Sequence, residues 1–357
     1  MASNIALVTG GCGCVGFHVV QALLDEPSIS AVHVFSRNPS QNQLPGVNYH
    51  TGNILSEQDV ETLILRVQPT VIFHVASPVS SGNTASSKLF YDVNVTGTKT
   101  LLNYAQKSPC TKIFIYTSSS SVMKPPYHDS TETQPLVPLA SKTDFNYYTT
   151  TKAIADQTVL EANRPNGLKT CSLRIAPIYG ERDNQMIPGL FKVLDDKRHY
   201  SQIGKNTVLM DFLSAKNAAK AHILAYRALV PTGTQSSVAG EAFLITDGKP
   251  MPFWDFSRKV WATAGEPVPQ DKIKIVPAWL VLSLAVTMEW LYWIFTFGHK
   301  TPQFLRSHTI RYVTQERTFS IEKAKKLLNY QPEDDMDKSI GDGVAWHMEN
   351  VRHLPKQ

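Results

Sequence analysis

From Ile5 to about Gln185, short apolar runs alternate with longer stretches whose apolar residues recur at helical spacing. Strands are predicted over residues 5–8, 31–35, 47–49, 70–74, 112–117 and 170–175, and helices near 15–25, 56–66, 86–107 and 146–163. Alternating strand and helix implies parallel strands joined by right-handed crossovers, hence a doubly wound α/β sheet. Runs that are apolar throughout fit strands covered on both faces. After residue 185 the alternation weakens. Residues 211–214 and 242–245 read as short strands, and 215–229 and 253–264 as helices.

The first predicted strand ends at Thr9, and glycines follow at 10, 13 and 16 before the first helix. This is strand, tight turn, helix. Gly10 can make the turn, Gly13 leaves room for phosphates, and Gly16 lets helix pack on strand. A helix that starts at such a turn points free N–H groups at a diphosphate. A glycine triplet alone reads as readily as an ordinary turn. The second strand strengthens the dinucleotide reading, because it ends at Ser36, where such folds place the group that reads the adenosine ribose. Gly52, Asn53 and Ile54 follow the third strand, and His74, Val75, Ala76 and Ser77 close the fourth, both at carboxyl ends where ligands bind. Residues 1–185 are thus expected to form a Rossmann-type dinucleotide-binding domain, with 186–357 mainly a smaller substrate lobe. The polar stretch 79–87 reads as a loop over the cofactor, and the Pro-rich stretch 124–145 as an irregular loop.

Residues 277–297 depart from this pattern: they are nearly all apolar, with three tryptophans, yet include Glu289. The segment reads as a buried pocket-covering helix, an interfacial helix or a membrane span. Its aromatic residues and the flanking Lys272, Lys274, Lys300 and Arg306 suit a membrane surface.

Composition narrows the function classes. The 357 residues are 42% hydrophobic with a net charge of +5, enough apolar content for a large core and without the clustered basicity of a nucleic-acid binder. The four cysteines, Cys12, Cys14, Cys110 and Cys171, neither call for disulfides nor supply a metal-ligand set, so no metal is expected. No charged n-region and h-region precede the first strand, so a signal peptide is not expected.

The candidate chemistry lies in Tyr148 and Lys152, four apart and so on one face of a helix. A free tyrosine has a pKa of about 10. A nearby ammonium favours the phenolate, so Tyr148 can take the proton of a substrate hydroxyl while hydride leaves the same carbon for a nicotinamide. Lys152 can also hold the nicotinamide ribose. Tyr147 lacks a lysine at this spacing and is expected to pack. Thr117, Ser118, Ser119 and Ser120 end the fifth strand, where a hydroxyl can polarise the substrate oxygen. Tyr-x-x-x-Lys arises often by chance; joined to the glycine turn and the serine-rich strand end it is specific. His74 reads as a satisfied core histidine, Asp211 as structural, and Arg182 and Asp183 as loop-ordering residues.

With these pieces the chain resembles the extended short-chain dehydrogenases/reductases. The likeness rests on residues 9–16, His74-Val75-Ala76-Ser77, Asn94-Val95-Thr96-Gly97-Thr98, Tyr116-Thr117-Ser118-Ser119 and Tyr148 with Lys152. Within them it is similar to the 3β-hydroxysteroid dehydrogenases and the decarboxylating sterol-4α-carboxylate 3-dehydrogenases. That similarity rests on residues 173–180, 217–222, the aromatic segment around Glu289 and the tail 319–332. The resemblance implies a catalytic triad of Ser119, Tyr148 and Lys152, with Asn94 supporting the site from the neighbouring strand and Pro177 beside the nicotinamide. Cofactor contacts are expected at Gly10, Gly13, Gly16, Ser36, Arg37, Asn53, Ala76, Asn94, Tyr148, Lys152 and Pro177. NAD-preferring relatives carry an acidic residue where this chain has Ser36 followed by Arg37. A serine and an arginine accept a 2′-phosphate that a carboxylate would repel, so the cofactor is NADP or NAD, with NADP favoured. Arg37 also reads as a plain solvated loop residue. Asn53 stands where relatives often have an acidic pair near the adenine, and can still hydrogen-bond the adenine amine.

The resulting expectation is oxidation of a 3β-type hydroxyl on a hydrophobic sterol-like or terpenoid substrate, with loss of CO2 where a 4-carboxylate is present. Alternatives are a ketone reductase of the dihydroflavonol reductase-like group, a sugar-nucleotide epimerase, disfavoured by the apolar C-terminal lobe, and a non-catalytic dinucleotide sensor, disfavoured by the intact Ser119, Tyr148 and Lys152. The superfamily resemblance also implies a homodimer through the two long helices of the dinucleotide domain. The expected location is cytoplasmic or peripheral on the endoplasmic reticulum membrane.

Overall fold

Alternating helix and strand in the N-terminal half builds one parallel sheet, here seen in a computed structural model that describes residues 4–79, 86–138, 147–230, 237–296, 302, 306–333 and 335–352. The chain begins β1 (Asn4–Thr9), α1 (Cys14–Leu24), β2 (Ile29–Ser36), β3 (Val47–Thr51), α2 (Glu57–Val67) and β4 (Val71–His74). It continues through α3 (Ser87–Tyr91), a run of wider π-type turns over Asp92–Gly97, α4 (Thr98–Lys107), β5 (Ile113–Ser119), β6 (Tyr127–Ser130), α5 (Tyr147–Glu161) and β7 (Lys169–Ile175). Then come β8 (Ile178–Tyr179), α6 (Met186–Asp195), β9 (Ser201–Ile203), β10 (Leu209–Met210), β11 (Leu213–Ser214), α7 (Ala215–Leu229) and β12 (Glu241–Ile245). The remainder is β13 (Met251–Pro252), α8 (Phe253–Thr263), β14 (Lys274–Val276), α9 (Ala278–Phe295), α10 (Ser307–Thr314), β15 (Arg317–Phe319), α11 (Glu322–Leu328) and α12 (Met336–His347).

The main sheet has seven strands in the order β12-β7-β5-β4-β1-β2-β3, every pair parallel. The chain leaves β1 toward β2 and β3, then returns on the other side at β4. The crevice between the carboxyl ends of β1 and β4 is therefore the switch point at which such sheets bind ligands. Side chains alternate across the sheet, so β1 buries Ala6 and Val8 with Val20, Phe73, Leu173 and Phe243 on one face. Leu7 joins Leu63, Ile72, Leu101, Phe114 and Val159 on the other. Both faces are dry, which explains why these strands read as unbroken apolar runs.

The structure departs from the sequence reading in three places. Residues 242–245 do not stay in the smaller lobe: β12 pairs with β7, Phe243 opposite Leu173, and α7 packs beside α1. The predicted strand over 211–214 is interrupted, because Asp211 and Phe212 link β10 to β11 outside either strand. The Pro-rich stretch 124–145 is not irregular throughout, since β6 joins the sheet β13-β10-β15-β6 with Tyr127 opposite Arg317. Residues 139–145 of that stretch, 80–85 of the polar loop, residue 146 and Phe297 lie outside the described residues. The lobe has its own core of Ile187, Phe191, Phe212, Trp254, Phe256 and Trp261.

Helix α9 is not a buried helix. Ala285 is its one buried residue among the 18, while Trp279 is 70% exposed, Trp290 63% and Phe295 78%. Glu289, the charge inside this apolar segment, accepts the Ser307 backbone N–H and hydroxyl, each at 2.8 Å, at the start of α10. Its carboxylate thus caps a neighbouring helix where free N–H groups favour negative charge.

Candidate active site

The glycine-rich turn lies in the crevice between β1 and β4. Gly10 has φ +72°, and a Cβ there would meet the Ala76 Cα at 2.7 Å, so the turn abuts the end of β4. A Cβ at Gly16 would meet the Gly10 carbonyl oxygen at 2.1 Å. Gly13 opens α1 with an extended backbone (φ −84°, ψ 173°) and no side-chain cap, and the first turn carries no acidic residue. Its Cβ position meets only the Gly10 oxygen, at 3.3 Å. A bare helix N-terminus over a glycine-rich turn fits the diphosphate of a nicotinamide dinucleotide.

Around the turn stand the other predicted cofactor residues. Ser36 ends β2 and hydrogen-bonds the Cys12 thiol, whose pKa burial raises against that bond. Arg37 follows on the surface, exposed. Asn53 closes an Asx turn, its Oδ1 accepting the Leu55 N–H at 3.1 Å, and its own N–H reaches the Asp59 carboxylate at 2.8 Å. The Ala76 N–H faces the Thr9 hydroxyl at 3.4 Å. The Pro177 carbonyl accepts the Leu213 N–H at 2.9 Å, joining the segment after β7 to β11.

Ser119, Tyr148 and Lys152 meet at the carboxyl end of β5. Ser119 hydrogen-bonds Tyr148, and its hydroxyl also meets that of Ser121 at 2.9 Å. The Phe90 ring from α3 stands edge-on to Tyr148 at 5.8 Å. Lys152, 2% exposed, donates to the Thr117 carbonyl at 2.5 Å and lies 4.3 Å from the Tyr116 ring centre. The expectation that Lys152 depresses the tyrosine is not met by these residues alone. Burial pushes Tyr148 up to about 12 against the Ser119 hydrogen bond, and a nearby Tyr312 adds to the rise. Lys152 is itself pushed down to about 7 by burial, opposed by Asp156. The physical reason is that desolvation disfavours both charged forms and the ammonium is turned to a backbone carbonyl.

Asn94 lies in the π-type turns between α3 and α4, a helical position and not the neighbouring strand expected for it. Wider turns of this kind recur at functional sites. Its Oδ1 accepts the Ser77 hydroxyl and its Nδ2 donates to the Thr151 hydroxyl, each at 3.0 Å. The amide thereby pins the first turn of α5, which carries Tyr148, to the end of β4. Tyr147, expected to pack, is 48% exposed. His74 is a saturated core histidine between the Thr9 and Thr98 hydroxyls at 2.7 and 2.9 Å, and burial pushes it down to about 3. Asp211 accepts the Phe319 N–H at 2.8 Å, and burial raises it to about 7.

Two arrangements were missed in the sequence. Beneath Lys152, Asp156 pairs with Arg174 of β7 at 2.7 Å, with side chains 0% and 5% exposed. Arg174 also reaches the Glu132 carbonyl at 3.3 Å. A lone arginine in an otherwise buried strand was the available signal, since such a charge needs a buried partner. The second is a strap over the glycine turn. Arg182 donates to Asn42 Oδ1 at 2.5 Å, Asn42 donates to the Cys12 carbonyl at 2.8 Å, and the guanidinium covers the Phe17 ring at 3.8 Å. Asp183 caps α6 through the Gln185, Met186 and Ile187 N–H groups.

Comparisons with known proteins agree with this geometry. A family model described as the 3-beta hydroxysteroid dehydrogenase/isomerase family matches residues 7–275. The decarboxylating sterol-4-alpha-carboxylate 3-dehydrogenase of Gibberella zeae is 35% identical over 305 residues, covering 83% of this chain and 97% of the relative. Its namesake from Schizosaccharomyces pombe is 32% identical over 358 residues, covering 99% and 100%. Among solved structures, the dTDP-glucose 4,6-dehydratase of Bacillus anthracis in complex with NAD superposes with a TM-score of 0.69 at 20% identity, covering 99% of each chain. That likeness is one of fold.

Proposed function

The chain belongs to the 3-beta hydroxysteroid dehydrogenase/isomerase family, and on that premise we propose that it oxidises the 3β-hydroxyl of a sterol bearing a 4-carboxylate, which then leaves as CO2. It is an NAD(P)-dependent oxidoreductase of sterol-like substrates. The observation that carries the reading is the meeting of Ser119, Tyr148 and Lys152 at the end of β5, beside a glycine turn shaped for a dinucleotide.

The bound oxidised nicotinamide supplies the hydride acceptor. Gly10, Gly13 and Gly16 hold the diphosphate, and Ser36 with Arg37 receives a ribose 2′-phosphate, favouring NADP. Ser119 hydrogen-bonds the substrate oxygen and Tyr148 takes its proton. Asp156 favours the protonated form of Lys152 against the burial that lowers it, and a charged Lys152 favours the phenolate that takes the proton. The C4–carboxylate bond of the 3-keto product then breaks, its electron pair moving to the C3 oxygen as an enolate, and CO2 departs. Ser119 and Tyr148 sit where that oxygen gains charge, so the same donors serve both steps.

Helix α9 supports membrane contact through its exposed aromatic face. Its tie to α10 through Glu289 leaves one flank on protein, which favours lying along the interface over spanning it. Lys272 and Lys274, both exposed just before it, suit anionic headgroups. Flotation with anionic vesicles tests this: Trp279→Gln with Trp290→Gln should release the protein, and unchanged flotation would refute it.

The function itself is tested by offering NADP+ and NAD+ with a 4-carboxysterol, a 3β-hydroxysteroid, a triterpenoid alcohol and a flavanonol, reading reduced nicotinamide and product mass. Turnover of the 4-carboxysterol with loss of CO2 is expected. Turnover of the flavanonol alone would refute the reading.

A further inference from the structure

Arg317 is a cation of the substrate lobe with no counter-charge among the described residues. It opens β15, which lies between β10 and β6. Its guanidinium sits between two aromatic rings, 4.4 Å from the centre of Tyr312 and 4.9 Å from that of Tyr127. Its Nε is buried without a hydrogen-bond partner, and among the described residues no carboxylate lies within ion-pair distance of it. The neighbouring acids have contacts of their own: Glu316 with His128 at 2.7 Å and with the Thr318 hydroxyl, Glu289 with Ser307, and Asp211 through Oδ2 with the Phe319 N–H, its buried Oδ1 being unpartnered.

This cation is placed toward the reacting end of the site. Tyr127 returns the chain to the serine-rich end of β5, its hydroxyl donating to the Met123 carbonyl at 2.9 Å. Tyr312, against which Arg317 stacks, is near enough to Tyr148 to raise its pKa. A planar guanidinium flanked by rings is a rigid fork that matches a carboxylate. Its Nε is shut off from water and unpartnered, so a substrate anion would supply the missing charge.

We propose that Arg317 recognises the substrate carboxylate on the carbon next to the one that is oxidised, and so selects carboxylated sterols over neutral ones. The inference rests on the functional reading above and assigns its specificity to one residue. The ion pair is present before oxidation, so it orients and binds the substrate, whereas the later flow of charge is toward Ser119 and Tyr148. Loss of Arg317 should therefore raise KM more than it lowers kcat.

The test compares wild type, Arg317→Leu and Arg317→Lys with saturating NADP+ or NAD+ on two substrates, a 4α-carboxy-3β-hydroxysterol and the same sterol with a 4α-methyl group. Arg317→Leu should lower kcat/KM for the carboxylated sterol by about 10- to 100-fold, mostly through KM. It should change the methyl sterol by less than about threefold, and Arg317→Lys should recover part of the loss. If wild type turns over only the carboxylated sterol, the inhibition constant of the methyl sterol is the comparator. Unchanged cofactor affinity and circular dichroism exclude misfolding. Equal losses on both sterols, or no loss on the carboxylated one, would overturn the role of Arg317 while leaving the functional reading standing. Wild-type silence toward both sterols would overturn the functional reading and the proposal with it.

Discussion

Replacing Arg174 by methionine should destabilise the protein far more than a surface charge deletion would. Arg174 Nη2 lies 2.7 Å from Asp156 Oδ2, and the two side chains are 5% and 0% exposed. The Arg174 Nε adds a second bond to Asp156 at 3.2 Å, and Nη1 adds one to the Glu132 carbonyl at 3.3 Å. The substitution leaves Asp156 buried with the Ser172 hydroxyl as its remaining side-chain partner among the described residues. Breaking a buried pair from one side costs about 3–5 kcal/mol, because the orphaned charge keeps its desolvation penalty. That is a large part of the ~5–15 kcal/mol that holds a typical domain together. Urea unfolding of the single variants and of Arg174→Met with Asp156→Leu would measure it. The double variant should be less damaged than Arg174→Met alone, since removing both charges removes the orphan. Asp156 lies one helical turn beyond Lys152 on α5, so kcat should fall with stability. A single-variant cost under about 1 kcal/mol, or a double-variant cost equal to the sum of the singles, would refute the reasoning.

Three further outcomes are expected. Gly16→Ala places a Cβ 2.1 Å from the Gly10 oxygen, so α1 must move off the turn. Cofactor Kd should rise at least about tenfold by fluorescence titration, or about 1.4 kcal/mol; an unchanged Kd contradicts the cradle. Asp211 has its folded pKa raised from 3.8 to about 7, so the folded state holds this proton more tightly than the unfolded one. Stability should therefore fall as pH rises from about 4 to about 7 and level off above, by up to about 4 kcal/mol. Asp211→Asn should flatten that slope in urea midpoints, and an identical slope would exclude the assignment. Arg37→Asp should move cofactor preference from NADP toward NAD in kcat/KM ratios, and no change would mean that Arg37 is simply solvated.

The sheet and the cofactor crevice were legible because their determinants are local. Apolar runs, the glycines at 10, 13 and 16, and a tyrosine four residues before a lysine lie within short windows. What escaped is carried by contacts between distant segments. Arg182 meets Asn42 across 140 positions, and Asp211 meets Phe319 across 108. Residues 242–245 read as a strand, but nothing in them says that their partner is β7 and not a strand of the lobe. Asn94 falls within the helix predicted near 86–107, but the wider turns at Asp92–Gly97 that aim its side chain are not revealed by periodicity. Tyr148 and Lys152 do share one helix, α5, and burial, not the lysine, sets the direction of the tyrosine's shift among these residues. Helical spacing says which side chains share a face and nothing about how completely they are desolvated. Glu289 interrupts an apolar helix because Ser307, 18 positions on, takes both its oxygens as acceptors.

The most direct test of the account is single-turnover oxidation of a 4-carboxysterol by wild type and Tyr148→Phe, followed by the reduced-nicotinamide absorbance and the mass of the released sterol. Wild type should give reduced cofactor and a decarboxylated ketone. Tyr148→Phe should give neither, while binding cofactor with unchanged Kd. Oxidation by Tyr148→Phe at the wild-type rate would contradict the central claim, that the tyrosine held by Ser119 on α5 takes the substrate proton.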